Sequence, residues 1–168
     1  MADLSTLAHP ARVIAVFRRA DVPSGHGPGS GLALWRVGDP GNVGTLIRTA
    51  DALGPAFVAL SPGCADPTSP KALRASAGAV FRVPLARFEE PLTPRVALVP
   101  KGGQPLWELE LGERVTFVLG AEREGLPEDV LTGCDEVATI PLAPWAESLN
   151  VAAAGAVALY EHRRRATV

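Results

Sequence analysis

Six short apolar runs punctuate the chain, at Val13–Phe17, Leu32–Val37, Phe57–Leu60, Val96–Val99, Thr116–Leu119 and Val137–Ile140. Runs of this length, bounded by Gly, Pro or polar residues, read as short buried strands. Between them the apolar positions fall at helical spacing. Helices are expected over Val43–Leu53, Pro70–Ala77 and Ser148–Arg165, with a shorter helical turn after Pro127. Strands alternating with helices in this way predict an α/β fold, a mainly parallel sheet with helices on both faces. The stretch Val22–Gly31 (VPSGHGPGSG) interrupts the pattern and reads as a flexible connection.

Composition bounds this picture without altering it. The 168 residues suffice for one domain with its own core, and 47% of them are apolar while only 20% are charged. That is a globular composition, not a disordered one. No apolar run approaches the roughly 18–20 residues that span a bilayer, so no membrane association is expected. Met1–Pro10 lacks the basic and apolar segments of a signal peptide. Cys64 and Cys134 stand alone, and His9, His26 and His162 are scattered, so no metal site is expected. A cytoplasmic protein with reduced thiols is the plain reading.

Charge adds a candidate surface. The net charge of −2 says nothing in favour of a polyanionic partner. Its distribution says more: from Pro67 to Phe88 the chain carries Lys71, Arg74, Arg82 and Arg87 and no acid, and the C-terminus adds Arg163, Arg164 and Arg165. Acids gather instead at Glu108, Glu110, Glu113, Glu122, Glu124, Glu128 and Asp129. Segregation of this kind suits a basic face for phosphates, and it equally suits an ordinary solvated surface.

In an open α/β sheet ligands bind beyond the carboxyl ends of the strands, and three such ends carry polar residues here. The first runs from Asp39 through Pro40, Gly41, Asn42, Val43 and Gly44 to Arg48 and Ala50. Its proline and asparagine do not fit the G-x-G-x-x-G fingerprint of a dinucleotide enzyme. Asn42 suits a helix cap, Gly44 permits a close backbone approach, and Arg48 is either a surface residue or a bidentate phosphate ligand. The second end, Gly120-Ala121-Glu122-Arg123-Glu124-Gly125, reads as an acidic surface loop or as a carboxylate placed to orient a hydroxyl or a partner side chain. The third runs from Ile140 and Pro141 to Ser148, Leu149 and Asn150 ahead of an Ala-rich helix; Ser148 suits an N-cap, and Asn150 is a poor helix former placed for hydrogen bonding.

Together and in this order, Asn42, Gly44, Arg48 and Ala50, then Gly120, Glu122 and Gly125, then Pro141, Ser148, Leu149, Asn150 and Ala152 resemble the three motifs of SpoU/TrmH-type RNA 2′-O-ribose methyltransferases of the SPOUT superfamily. Residues 71–79 look like that family's intervening helix, and the resemblance covers about residues 32–164. It implies a C-terminal deep trefoil knot, which periodicity alone does not suggest because true knots are nearly absent among folds. It implies S-adenosylmethionine as cofactor, cradled by Leu98, Val99 and Pro100, by Gly120, Ala121 and Glu122, and by Ile140, Leu142, Ser148 and Leu149. It implies methyl transfer to a ribose 2′-hydroxyl of ribosomal or transfer RNA, ribosomal RNA being favoured. Arg48 would clamp the target nucleotide or activate its hydroxyl, oriented by Asn42, Glu122, Ser148 and Asn150, while Lys71, Arg74, Arg82 and Arg87 would meet RNA phosphates. It further implies a homodimer through the first and last helices. Residues 31–168 would be the catalytic domain, and residues 1–30 an extension whose Arg12–Phe17 (RVIAVF) resembles the tail of a connection from a substrate-binding domain. The rival readings are a non-catalytic RNA-binding module that keeps the knot, and a small-molecule methyltransferase.

Overall fold

The central strands are apolar because both of their faces are covered. In the computed structural model, which describes residues 15–27, 29–90 and 94–166, the elements follow as β1 (Ser30–Leu34), α1 (Pro40–Leu53), β2 (Ala56–Leu60), α2 (Pro70–Ser76), β3 (Leu85–Arg87), β4 (Arg95–Leu98), β5 (Gln104–Pro105), β6 (Thr116–Leu119), α3 (Glu128–Thr132), β7 (Glu136–Thr139) and α4 (Val151–Ala166). They form one sheet in the order β3-β2-β1-β6-β4-β7-β5, and every pairing in it is parallel. All strands therefore point the same way, and their carboxyl ends share one edge. Among the described residues no helix is long and apolar enough to cross a membrane.

Successive side chains of a strand point to opposite faces, and the two faces differ. Leu32, Leu34, Val58, Phe117 and Leu119 turn to one side, where Leu46 and Ile47 of α1 and Ala158 and Leu159 of α4 bury them. There α1 also packs against α2. Ala33, Phe57, Ala59 and Val118 turn to the other side, covered by Phe88, Trp35, Leu126 and Val130 of the five-residue α3. Helices flank the sheet as expected, but their mass lies on the first face.

The boundaries shift in ways that have local causes. The strand that corresponds to β1 is expected over Leu32–Val37. It begins at Ser30 and stops at Leu34, because Arg36 turns into the left-handed region at φ 50 and takes the chain out of the ladder. Helix α1 starts at Pro40, not Val43, since Asp39 is its cap and accepts from the amides of Gly41 and Asn42 at 2.6 and 3.1 Å. Asn42 is therefore inside the first turn and is not the cap. The last helix starts at Val151, not Ser148, because Asn150 caps it by accepting from the amides of Ala152 and Ala153 at 2.9 and 3.3 Å. Ser148 caps nothing. β3 and β5 carry no apolar pattern to read: they are the two edge strands, three and two residues long. Of the expected strand Val13–Phe17, Val13 and Ile14 lie outside the described residues, as does His9; Ala15–Phe17 is not a strand, and Phe17 packs edge-to-face on Phe81. Within the Val22–Gly31 segment, expected as a flexible connection, Ser24 bridges Leu85 and His26 meets Glu90, Ser30 and Gly31 belong to β1, and Pro28 lies outside the described residues.

Two glycines set how closely the helices approach. A Cβ at Gly44 would stand 2.4 Å from the carbonyl oxygen of Ala72, so α1 and α2 touch backbone to side of helix. A Cβ at Gly155 would meet only the ends of Leu46 and Leu119, at 2.4 and 3.0 Å. Alanine is the better helix former by about 1 kcal/mol, yet Gly44→Ala should destabilise by about 1–3 kcal/mol because backbone cannot swing aside as a side chain can. Gly155→Ala should cost less than Gly44→Ala. Thermal unfolding of the two variants beside the parent protein measures both; equal losses would contradict the contact geometry.

Candidate active site

Parallel topology places the carboxyl ends of β4, β6 and β7 side by side, and three loops leave the sheet there. They enclose a cavity of about 590 Å³, inside the range of small-molecule and cofactor sites. Leu98, Val99 and Pro100 line it from the end of β4, Gly120, Ala121 and Glu122 from the end of β6, and Ile140, Leu142, Ser148 and Leu149 from the segment between β7 and α4. All ten residues that the resemblance assigned to the cofactor thus lie around one cavity. Arg123, Glu124, Leu126, Asn150, Val151 and Ala154 complete much of the wall without having been assigned to it.

The middle loop is closed by its own backbone. Ala121 and Gly125 exchange hydrogen bonds, N–H to O, at 3.1 and 3.0 Å, and Gly125 sits at φ 69. Gly120 has no room for a side chain, since a Cβ there would stand 2.2 Å from the Gly125 carbonyl carbon. This tight loop aims Glu122 back at β1. Its Oε2 accepts from the Gly38 amide and its Oε1 from the Asp39 amide, both at 3.1 Å. The Asn42 side-chain amide also donates to Oε1, at 2.9 Å, and Asn42 Oδ1 accepts from Asn150 Nδ2 at 3.1 Å. A continuous polar chain, Glu122–Asn42–Asn150, therefore ties the ends of β1 and β6 to the starts of α1 and α4. Partial burial disfavours the Glu122 carboxylate, but the donors on it, Asn42 foremost, outweigh that and hold its pKa below the usual glutamate value. Asp39 is held low in the same sense, first by the Lys71 ammonium, which donates to its Oδ2 at 2.6 Å, and then by the amides it caps.

The remaining candidates are less concentrated. Arg48 is exposed on α1 and does not line the cavity. It lies six residues past Asn42, about 9 Å along the helix axis and well over a turn around it, so the helix carries it away from the polar chain. Within the basic island, Lys71 serves Asp39 and Arg82 makes a bidentate pair with Asp51 (Nε to Oδ1 at 3.0 Å, Nη2 to Oδ2 at 2.5 Å). The run without acids in sequence is thus partly neutralised in space by Asp51 of α1 and by Asp39 at its cap. Arg74 and Arg87 are exposed. At the C-terminus Arg163 donates to the carbonyls of Leu53 and Gly54, and Arg165 to those of Leu106 and Leu109. Arg164 and Arg165 both engage Glu161, with Arg164 the larger influence holding it down to about 2. Asp39 is the one central residue that the motif reading gave no role, although Asp before Pro at a helix start is a recognisable cap signal.

A sequence profile of the SpoU rRNA methylase family matches residues 30–160. A Synechocystis protein described as an uncharacterised tRNA/rRNA methyltransferase is 38% identical over 98% of this chain and 65% of its own length. The 23S rRNA (guanosine-2′-O) methyltransferase RlmP of Bacillus subtilis is 36% identical over 79% of this chain and 57% of its own. The chain thus spans less than two thirds of the length of these relatives. Among solved structures, an AdoMet-bound rRNA methyltransferase from Sinorhizobium meliloti superposes with a TM-score of 0.76 and 34% identity, covering 86% of this chain and 59% of that one.

The Glu122 chain makes a testable demand. Glu122→Gln replaces an acceptor oxygen with an NH2 group that faces backbone N–H donors, so it should destabilise by about 0.5–1.5 kcal/mol at neutral pH, water taking over part of the acceptor's place at this exposed site. The native carboxyl has a depressed folded pKa, so its stabilisation is complete above the unfolded value near 4.5 and fades as pH falls through the folded one. The gap in melting temperature between parent and Glu122→Gln should therefore narrow on acidification below that point. A gap independent of pH would show that the carboxylate is not the acceptor.

Proposed function

The chain belongs to the SpoU rRNA methylase family, and on that premise we propose that it transfers a methyl group from S-adenosylmethionine to a ribose 2′-hydroxyl of ribosomal or transfer RNA, ribosomal RNA being favoured. The observation that carries this is the convergence of three strand-end loops on one cavity beside the Glu122–Asn42–Asn150 chain. The cavity fits the cofactor chemically: Ile140, Leu142 and Leu149 line it with apolar side chains suited to a purine, and Glu122, Ser148 and Asn150 add polar groups to its wall. When bound, S-adenosylmethionine supplies a methyl group made electrophilic by its sulfonium.

The chain's own residues then have to place a weak nucleophile and exclude alternatives. Asn42 and Asn150 hold each other in fixed orientation, and Ser148 adds a free hydroxyl on the cavity wall. Glu122 is a positioning residue: its oxygens are engaged by three donors, which makes it a poor base and a good anchor. Arg48 is no proton acceptor either, since a guanidinium carries donors only. Its role in this reading is to grip the target nucleotide and stabilise the developing alkoxide.

Two structural extensions belong to the same proposal. The first is the deep trefoil knot. β7 lies between β4 and β5 although the chain passes directly from β4 to β5. The connecting loop is fastened to β7 by Val99 N–H to Ala138 O and Gly103 N–H to Thr139 Oγ1, both at 2.9 Å. These features support a chain drawn through residues 99–103 on its way to α4. The second is a homodimer through α1 and α4. Val157 and Tyr160 of α4 are 41% and 59% exposed, and such a contact is what would bring Arg48 to a cavity it does not line in its own chain. We assign residues 31–168 to the catalytic unit and the activity to the cytoplasm.

Calorimetry with S-adenosylhomocysteine in the presence of a chelator should show binding without metal; an absence of binding heat removes the cofactor assignment and favours a non-catalytic RNA-binding module. Arg48→Ala should lower methylation of RNA by roughly 10²-fold, the scale of losing one preorganised electrostatic donor, with S-adenosylhomocysteine affinity unchanged. A fully active Arg48→Ala protein would overturn its role. Light scattering at micromolar concentration should give twice the monomer mass, and a monomer would refute the dimer.

A further inference from the structure

The loop after β1 holds an arginine in a conformation that the proposed chemistry leaves unexplained. Arg36 sits at φ 50, a region unfavourable for any residue with a Cβ. The surrounding backbone enforces it. Ser61 N–H donates to Leu34 O at 3.0 Å, the Arg36 amide to Ser61 Oγ at 2.9 Å, and Ala65 N–H to Val37 O at 2.9 Å. The Arg36 side chain then lies over Gly63, where a Cβ would stand 3.4 Å from its Nε and 3.5 Å from its Cγ. Strain that the surroundings over-determine marks sites where a side chain has been aimed.

It is aimed along a second, open groove of about 490 Å³, lined by Arg36, Asp39, Gly63, Glu122, Arg123 and Glu124 among others. This groove shares Glu122, Arg123 and Glu124 with the cavity, so the two recesses meet at the loop after β6. Its carboxylates are mostly engaged: Asp39 by Lys71 and the amides it caps, Glu122 by its three donors. Among the described residues no hydrogen bond or ion pair engages the guanidinium of Arg36, or the side chains of Arg123 and Glu124. Two uncommitted guanidiniums and one uncommitted carboxylate therefore line the groove where it meets the cavity.

We propose that this groove seats the RNA strand carrying the target ribose, with Arg36 gripping a neighbouring backbone phosphate; the inference rests on the methyltransferase reading. A guanidinium matches a phosphate in bidentate fashion, and one whose backbone is held and whose stem rests on Gly63 has less freedom to lose on binding.

Arg36→Gly separates this role from packing, because glycine accepts the left-handed conformation and removes the guanidinium. Its melting temperature should equal or exceed that of the parent. Its affinity for a mixed-sequence single-stranded oligoribonucleotide, read by fluorescence anisotropy over a salt series, should fall about 10-fold or more. The salt slope should drop by about 0.7, the value of one phosphate contact on a single strand. Arg36→Lys should restore the slope but not the full affinity, since a point charge lacks the fork. S-adenosylhomocysteine binding should be the same in all three proteins. If the parent binds S-adenosylhomocysteine and Arg36→Gly binds RNA as the parent does, the groove assignment alone is wrong. If the parent does not bind S-adenosylhomocysteine, the methyltransferase reading fails and takes this inference with it.

Discussion

One carboxylate fixes the geometry at the carboxyl edge of the sheet. Strand pairing sets β1 beside β6 up to Leu34 and Leu119, but it says nothing about the loops beyond. Glu122 joins them by accepting from the amides of Gly38 and Asp39 and from the side chain of Asn42. Asn42 then passes the constraint to Asn150, whose other duty is to cap α4. Four elements are thereby held in one arrangement through three side chains. Without Glu122 two amides at the strand end lose their protein acceptor, and the bond from Asn42 to Asn150 loses its anchor.

The all-parallel sheet makes this concentration possible and also makes it necessary. Strands that all end on one edge send their following loops to the same place, and α1 and α4 both begin there. Two helix N-termini bring unsatisfied N–H groups and partial positive charge. Asp39 meets the first chemically, as cap, and the side-chain oxygen Oδ1 of Asn150 meets the second. Lys71 of α2 then balances Asp39. The polar residues that look functional in sequence therefore carry structural duties as well, and the cavity beside them inherits rigid walls.

The central sheet was legible because its strands are buried on both faces: Thr116–Leu119 was read to the residue, and β2, β4 and β7 to within one residue at each end. The two edge strands were not, since three residues ending in Arg87 and the pair Gln104–Pro105 have no alternation to detect. The caps were misplaced by two or three residues, onto Asn42 and Ser148. Asp, Asn and Ser all make good caps, and only the fold shows that Asn42 is recruited by Glu122, 80 positions away. The cavity walls came from the motif resemblance. Arg36 carried no signal at all: its left-handed conformation depends on Ser61 and Gly63 in the loop after another strand. Long-range constraints of this kind leave no periodic trace.

The basic residues show why counting charges in sequence misjudges an RNA surface. Lys71 and Arg82 pair with Asp39 and Asp51 at the surface, and exposed pairs of this kind contribute little to stability. A phosphate can displace either carboxylate at little cost, so both lysine and arginine remain available to a polyanion. The C-terminal trio is different. Arg163 and Arg165 donate to carbonyls of residues 53, 54, 106 and 109, tying α4 to the end of α1 and to the stretch after β5. Moving them to a phosphate would leave those carbonyls to find new donors and would loosen the last helix. Two clusters that look equivalent as strings of arginine thus divide by what their partners are. Cations opposite exposed carboxylates can exchange partners, while cations on backbone oxygens are part of the fold.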